Sequence, residues 1–182
     1  LVLEYIGGGT VAHRINQGGA MPWSAAVHWM KGMLSGLQAL HDVGLVHRDM
    51  KPENVLLQRG GEAARPMITD LGIAHDTGGA QLTRDGSRLG TPEYMAPEQI
   101  KGLQVDARTD VYACGVILFE LLVGEVPFSG TDYDIQHGHV TESPNLDRLP
   151  EDVPLWIYQA LEQALEKDPD QRFESAEAFE LF

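Results

Sequence analysis

The chain has one cysteine, Cys114, in 182 residues, so no disulfide can form within it. Cys114 sits in an apolar helical stretch and reads as a small core residue rather than a reactive thiol. Basic residues are scarce: 13 Lys and Arg stand against 27 Asp and Glu, a net charge of −14. Nucleic acid and anionic lipid both call for a basic face, so this balance argues against either as a partner. No unbroken apolar run is long enough to span a bilayer, and no signal peptide pattern is present. There is no opening methionine. Leu1-Val2-Leu3 reads as a strand already under way, and residues 176–182 form an amphipathic segment without a stop signal. Both ends are therefore expected to be cuts in a longer protein. Internal repeats and low-complexity segments are absent as well. What remains is ordinary globular composition, 43% hydrophobic and 22% charged, in a length sufficient for one domain with a core.

Helical patterns dominate. Residues 1–6 read as a short buried strand, followed by the flexible joint Gly7-Gly8-Gly9. Thr10 is placed to cap a short helix to about Asn16. Pro22 suits the first turn of a long helix ending at Gly44, with Val27, Met30, Leu34, Leu37 and Leu40 along one face. Leu45-Val46 reads as a brief strand, and residues 55–57 and 67–69 as a strand pair joined by a polar turn. Residues 70–98 show little regular pattern, and loops of that length inside a compact domain usually carry function. Residues 110–124 form the most apolar helix, expected at the centre of the core and ended by Pro127-Phe128. Residues 131–145 are polar and ambiguous. A further helix is expected over 154–167, and Ser175 is placed to cap the last one.

The run His47-Arg48-Asp49-Met50-Lys51-Pro52-Glu53-Asn54 stands out chemically. Its proline breaks any helix, and the result is a loop presenting an acid, an ammonium and an amide oxygen to one point. Such a set suits phosphoryl transfer: the acid orients a hydroxyl, the ammonium meets a phosphate and the amide oxygen ligates a metal. Asp70-Leu71-Gly72 follows the expected strand pair. An antiparallel pairing brings Asp70 near Asn54 and makes a two-oxygen magnesium site; an isolated Asp-x-Gly is more often a turn. His137 and His139 have metal-ligand chemistry without companion ligands, and read as a solvated loop pair.

The third marker is Gly90-Thr91-Pro92-Glu93-Tyr94-Met95-Ala96-Pro97-Glu98. With it the chain resembles the C-terminal lobe of a protein kinase, from Leu1 to the end, in the order catalytic loop, Asp-x-Gly, Ala-Pro-Glu. The style of residues 72–74 and 90–99 is similar to eukaryotic-like bacterial serine/threonine kinases. The resemblance implies a mainly α fold with short β hairpins, lacking the N-terminal lobe. It divides the partial kinase domain 1–182 into a hinge over 1–9 and a C-lobe over 10–182, with a catalytic loop at 47–54 and an activation segment at 70–98.

By position, the resemblance makes Asp49 the acceptor or orienter of the substrate hydroxyl proton and Lys51 the contact to the transferring phosphate. Thr91 lies beside both. Asn54 and Asp70 hold magnesium, and the hinge backbone, including Glu4 and Ile6, hydrogen-bonds the adenine of ATP. His47 and Leu71 pack in the column linking the lobes; leucine here replaces the usual phenylalanine and is expected to shift the balance of loop states. Asp110 braces the catalytic loop from below, and Arg172 pairs with Glu98. Arg48 is expected to meet a phosphorylated activation loop, with Thr83 favoured over Thr77 and Ser87 as acceptor.

The resemblance further implies protein substrates, with a bias toward basic ones allowed by the acidic charge. It implies a cytoplasmic location, with a membrane anchor outside the chain left open, and is compatible with a homodimer of the full-length protein. The glycine-rich strand pair, the strand lysine and its helix glutamate lie upstream of the hinge in the family, and nothing here supplies them. The chain alone is therefore expected to be nearly inactive. Two other readings stay open: a pseudokinase or scaffold lobe, disfavoured by the retained Asp49, Lys51, Asn54 and Asp70, and a small-molecule phosphotransferase, disfavoured by Thr91 and Ala96-Pro97-Glu98.

Overall fold

The computed structural model describes residues 6–58, 61–70 and 91–182. Helices α1 (Val11–Gly18), α2 (Trp23–His41), α3 (Pro97–Ile100), α4 (Ala107–Val123), α5 (Asp132–Thr141), α6 (Leu155–Ala164) and α7 (Ala176–Leu181) account for about half of it. Strands β1 (Val55–Leu57) and β2 (Pro66–Ile68) form a two-stranded antiparallel sheet pairing Val55 with Ile68 and Leu57 with Pro66. The mainly helical fold with a small sheet agrees with expectation. Glu4, Leu71, Gly72, Thr77, Thr83 and Ser87 lie outside the described residues.

Sequence signals explain most boundaries. Thr10 caps α1, its hydroxyl accepting from the His13 amide at 3.0 Å. Ser175 caps α7 in the same way through the Ala178 amide at 3.0 Å. Helix α2 starts after Pro22 and ends at His41; a turn through Gly44, at φ 77°, follows it. Met30, Leu34 and Leu37 are buried as the spacing indicates, together with Trp29 and Met33. Gly32 and Gly36 let β2 lie directly on α2. A Cβ on Gly32 would come within 2.6 Å of the Pro66 ring, and one on Gly36 within 3.2 Å of Ile68. The segment before α1 runs beside β1, with Gly8 N–H donating to Leu57 O and Leu57 N–H to Gly9 O.

Helix α4 is central, packing against α2, α6 and α7. Cys114 is fully buried within it, and burial pushes its thiol pKa up, as suits a core residue. The helix begins at Ala107, earlier than expected, because Asp106 caps it through the Arg108 amide at 2.8 Å. It ends at Val123, within a residue of the expected bound at Gly124, because Gly124 takes a left-handed φ of 84°; Pro127-Phe128 lies beyond that end. Residues 131–145 hold a clear helix, α5, with Thr131 and Asp134 exchanging hydrogen bonds across its first turn.

Two expectations fail. Leu45-Val46 is not a strand. The Leu45 amide closes the α2 turn on Leu40 O, and the next segment donates its amides to a carboxylate instead of a neighbouring strand. His139 is not solvated: it lies on α5, wholly buried, with Nε2 on the Glu93 carbonyl and Nδ1 on the Tyr112 hydroxyl, both at 2.9 Å. Burial, reinforced by the positive charge of Lys167, pushes its pKa down to about 4.

Candidate active site

The loop from His47 to Asn54 is held from below by one buried carboxylate. Asp110, near the start of α4, is 1% exposed. Its Oδ2 accepts from the His47 amide at 2.8 Å and lies 2.8 Å from His41 Nε2, and its Oδ1 accepts from the Arg48 amide at 2.8 Å. Asp110 thus lies beneath the loop. His47 is buried too, its ring between the Asp49 amide and the Thr69 carbonyl. With Nδ1 accepting from Asp49 N–H, Nε2 carries the proton donated to Thr69 O. A neutral imidazole satisfies both contacts.

Above this base three functional groups meet. Lys51 Nζ is 2.9 Å from Asp49 Oδ2. Asn54 donates from Nδ2 to the Asp49 carbonyl at 2.8 Å and to its Oδ2 at 3.2 Å. Lys51 Nζ also donates to Thr91 Oγ1 at 3.4 Å. Asp49 and Lys51 keep 26% and 20% side-chain exposure, so both reach solvent.

Asp70 lies two residues beyond the end of β2 and is exposed. The Thr69 amide donates to Asn54 O at 2.9 Å, which brings the start of β1 and the end of β2 together as the antiparallel pairing requires. Asn54 has its NH₂ committed to Asp49, so Oδ1 is its remaining ligand atom. That oxygen and the Asp70 carboxylate are hard donors of the kind magnesium takes. Arg48 at φ 66° and Asp70 at φ 54° are non-glycine residues in the left-handed region. Such backbone is disfavoured and gathers at functional sites. Ile6 is half-buried at the start of the described chain.

The segment from Thr91 to Ile100 forms one wall. Glu98 and Arg172, both 4% exposed, join in a two-pronged pair, Nη1 to Oε1 and Nη2 to Oε2, each at 2.8 Å. Thr109 adds a hydroxyl to Glu98 Oε1 at 2.7 Å. Burial alone would raise the Glu98 pKa, but the bonds from Arg172 and Thr109 outweigh it and hold the carboxyl below its usual range. Tyr94 donates to Glu120 Oε2 at 2.7 Å, and burial pushes the pKa of both groups up.

Residue-level reading missed several supports of this wall: Gln99, Thr109, Tyr94, His139 and Glu120. Gln99 had a usable signal, because a glutamine three residues after a helix-capping position reaches back to the cap amide. Its Oε1 accepts from Ala96 N–H at 3.0 Å.

Comparison with known proteins identifies the family. The model of the protein kinase domain matches residues 1–181, and the chain belongs to that family. Among its relatives is the serine/threonine-protein kinase drp72 of Corynebacterium efficiens, 39% identical over 174 residues, covering 95% of this chain and 32% of that protein. PkaA of Streptomyces coelicolor, a serine/threonine-protein kinase, is 37% identical over 173 residues, with 94% and 31% covered. PknL of Mycobacterium tuberculosis, also a serine/threonine-protein kinase, is 36% identical over 178 residues, with 97% and 44% covered. These relatives are bacterial, and the chain spans less than half the length of each. Among the described residues no helix is long and apolar enough to cross a membrane.

Proposed function

We propose that the protein carrying this chain is a cytoplasmic serine/threonine protein kinase that transfers the ATP γ-phosphate to protein hydroxyls. The observation that carries the reading is the meeting of Lys51 Nζ and Asn54 Nδ2 on one Asp49 oxygen, at 2.9 and 3.2 Å, with Thr91 on the same lysine. A substrate hydroxyl directs its proton to Asp49 while its oxygen forms the new bond to the γ-phosphorus. The bond to the ADP oxygen breaks, and the negative charge leaves with ADP. Lys51 sits where the transferring phosphoryl group gathers charge. Asn54 Oδ1 and Asp70 are the residues that would hold magnesium, which when bound neutralises phosphate charge. Catalysis here is mostly positioning and charge stabilisation, so a fixed carboxylate suffices and a strong base is unnecessary.

The 182-residue chain alone is proposed to transfer phosphate only slowly, because it supplies no glycine-rich phosphate cover and no lysine–glutamate pair. The deciding experiment uses the whole protein with ATP, magnesium and a serine peptide. Asp49→Asn is expected to lower kcat at least about a hundredfold, the scale of a lost proton acceptor. An unchanged rate refutes the assignment. Phosphorylation of small alcohols or aminoglycosides in preference to peptides would refute the substrate class.

A further inference from the structure

Gln99 lies in α3, and the family resemblance assigns it no role. Its amide is used at both ends. Oε1 accepts from Ala96 N–H at 3.0 Å, and Nε2 donates to the Arg48 carbonyl at 2.8 Å. The first bond is a local helix cap. The second crosses 51 positions of sequence to reach the catalytic loop.

Arg48 is thereby gripped on both sides. Its N–H donates to Asp110 Oδ1 and its carbonyl accepts from Gln99, each at 2.8 Å. Between these two bonds lies the left-handed φ of 66°. That conformation is disfavoured for a residue with a Cβ. The carbonyl of Arg48 belongs to the same peptide plane as the amide of Asp49, so whatever fixes this carbonyl fixes the direction in which Asp49 leaves the backbone. That amide is itself bound, at 3.3 Å, to His47 Nδ1. Asp110 and Gln99 therefore set the peptide planes on either side of Arg48.

We propose that Gln99 is a positioning residue for phosphoryl transfer, which aims Asp49 through the Arg48 carbonyl and ties the catalytic loop to the segment carrying Thr91 and Glu98. The proposal rests on the kinase reading of Asp49. It makes the geometry of the acid depend on the placement of α3, so that the peptide-facing wall and the catalytic loop move as one unit.

Two substitutions separate this role from simple helix capping. Gln99→Glu keeps an oxygen for Ala96 N–H but sets a second oxygen, instead of a donor, against the Arg48 carbonyl. Gln99→Leu removes both bonds. In the whole protein with ATP, magnesium and a serine peptide, Gln99→Glu is expected to lower kcat about tenfold, with KM for ATP and peptide within about twofold of wild type. Amide hydrogen exchange on the same protein should quicken over residues 47–50 in Gln99→Glu while residues 97–103 keep the wild-type rate; Gln99→Leu should quicken both. A kcat for Gln99→Glu within about threefold of wild type, or unchanged exchange over 47–50, overturns the proposal. If the wild type is no faster than Asp49→Asn, the kinase reading itself fails, and the exchange pattern alone then decides whether Gln99 holds the loop.

Discussion

Replacing Glu98 by alanine strands a guanidinium in the interior. Arg172 makes five hydrogen bonds: two to Glu98, and one each to the carbonyls of Arg108, Glu166 and Lys167. Arginine has five N–H donors, so its capacity is filled. Glu98→Ala removes the balancing charge and two of the five acceptors, and deprives Thr109 of its partner at 2.7 Å. Losing one member of a buried pair costs about 3–5 kcal/mol. We therefore expect about 4 kcal/mol, a large share of the roughly 5–15 kcal/mol that holds a domain folded. At a urea slope of about 2 kcal/mol per molar, the midpoint should drop by about 2 M. Arg172→Lys should be costly as well, because three ammonium donors cannot serve five acceptors. The double variant Glu98→Leu/Arg172→Met removes both charges but leaves three carbonyls short of a donor. It should recover about 1–2 kcal/mol relative to the sum of its singles. The carboxyl also links stability to pH. Its folded pKa lies below its unfolded one, so its contribution is complete above the ordinary carboxylate range near 4.5 and is lost as pH falls through the lowered folded value. Glu98→Gln should lack that component of the acid limb. Urea titrations by far-UV circular dichroism across pH test all of this. A loss below about 1 kcal/mol for Glu98→Ala would refute the buried-pair reasoning.

Asp110→Asn keeps the shape of the brace but loses its charge, and it can set an NH₂ against the amides of His47 or Arg48. It should cost about 2–3 kcal/mol in urea midpoint measurements and lower kcat of the whole protein more than tenfold with little change in KM. An equal loss in KM alone would show that the brace serves binding rather than loop geometry. For His139 the folded pKa falls from 6.5 to about 4. As pH drops from 6.5 toward 4 the unfolded imidazole takes a proton that the folded one refuses, so stability falls over that window, by on the order of 3 kcal/mol at its lower end. His139→Leu should be less stable at pH 7 through its lost hydrogen bonds, yet flatter between pH 6.5 and 4. Parallel pH curves for the two proteins would refute the assignment.

The contiguous chemistry was legible in the sequence because each group needs its neighbours in a short run. Asp49, Lys51 and Asn54 meet over six residues, and the β1–β2 pairing that sets the Thr69 amide, next to Asp70, on the Asn54 carbonyl follows from two apolar runs and a polar turn. Long-range partners were legible only through family resemblance: nothing local in Asp110 or Arg172 points to His47 or to Glu98. The failures share a cause. Leu45-Val46 has strand composition, but a carboxylate 63 positions after His47 takes the amide that a strand would give to its neighbour. His139 sits in a polar stretch and yet is buried, because α5 turns that one ring toward Tyr112 and the Glu93 carbonyl. Periodicity counts apolar residues, so a buried polar residue on a weakly amphipathic helix escapes it.

Those buried polar residues converge on α4. The helix is apolar enough to pass for pure core, and residues 109–119 are all buried. Its polar exceptions each hold a different part of the site. Thr109 holds Glu98, Asp110 holds the His47 and Arg48 amides, Tyr112 reaches Glu93 through His139, and Glu120 holds Tyr94. A buried polar group without a partner costs more than its hydrogen bond returns, so each of these side chains is a constraint on the loop it meets and not a passive filler. Because all four project from one rigid helix, their relative spacing is set by helix geometry rather than by the loops. Displacing α4 from its packing against α6 should therefore disturb the 47–54 loop and the 91–100 wall together. Gly115 is the place to do it, since a Cβ there would lie 3.0 Å from both Ala164 and Leu165. Gly115→Val should lower kcat and quicken amide exchange at residues 47–50 and 91–99 in parallel, while a change confined to one of the two segments would show that the loops are held independently of the helix.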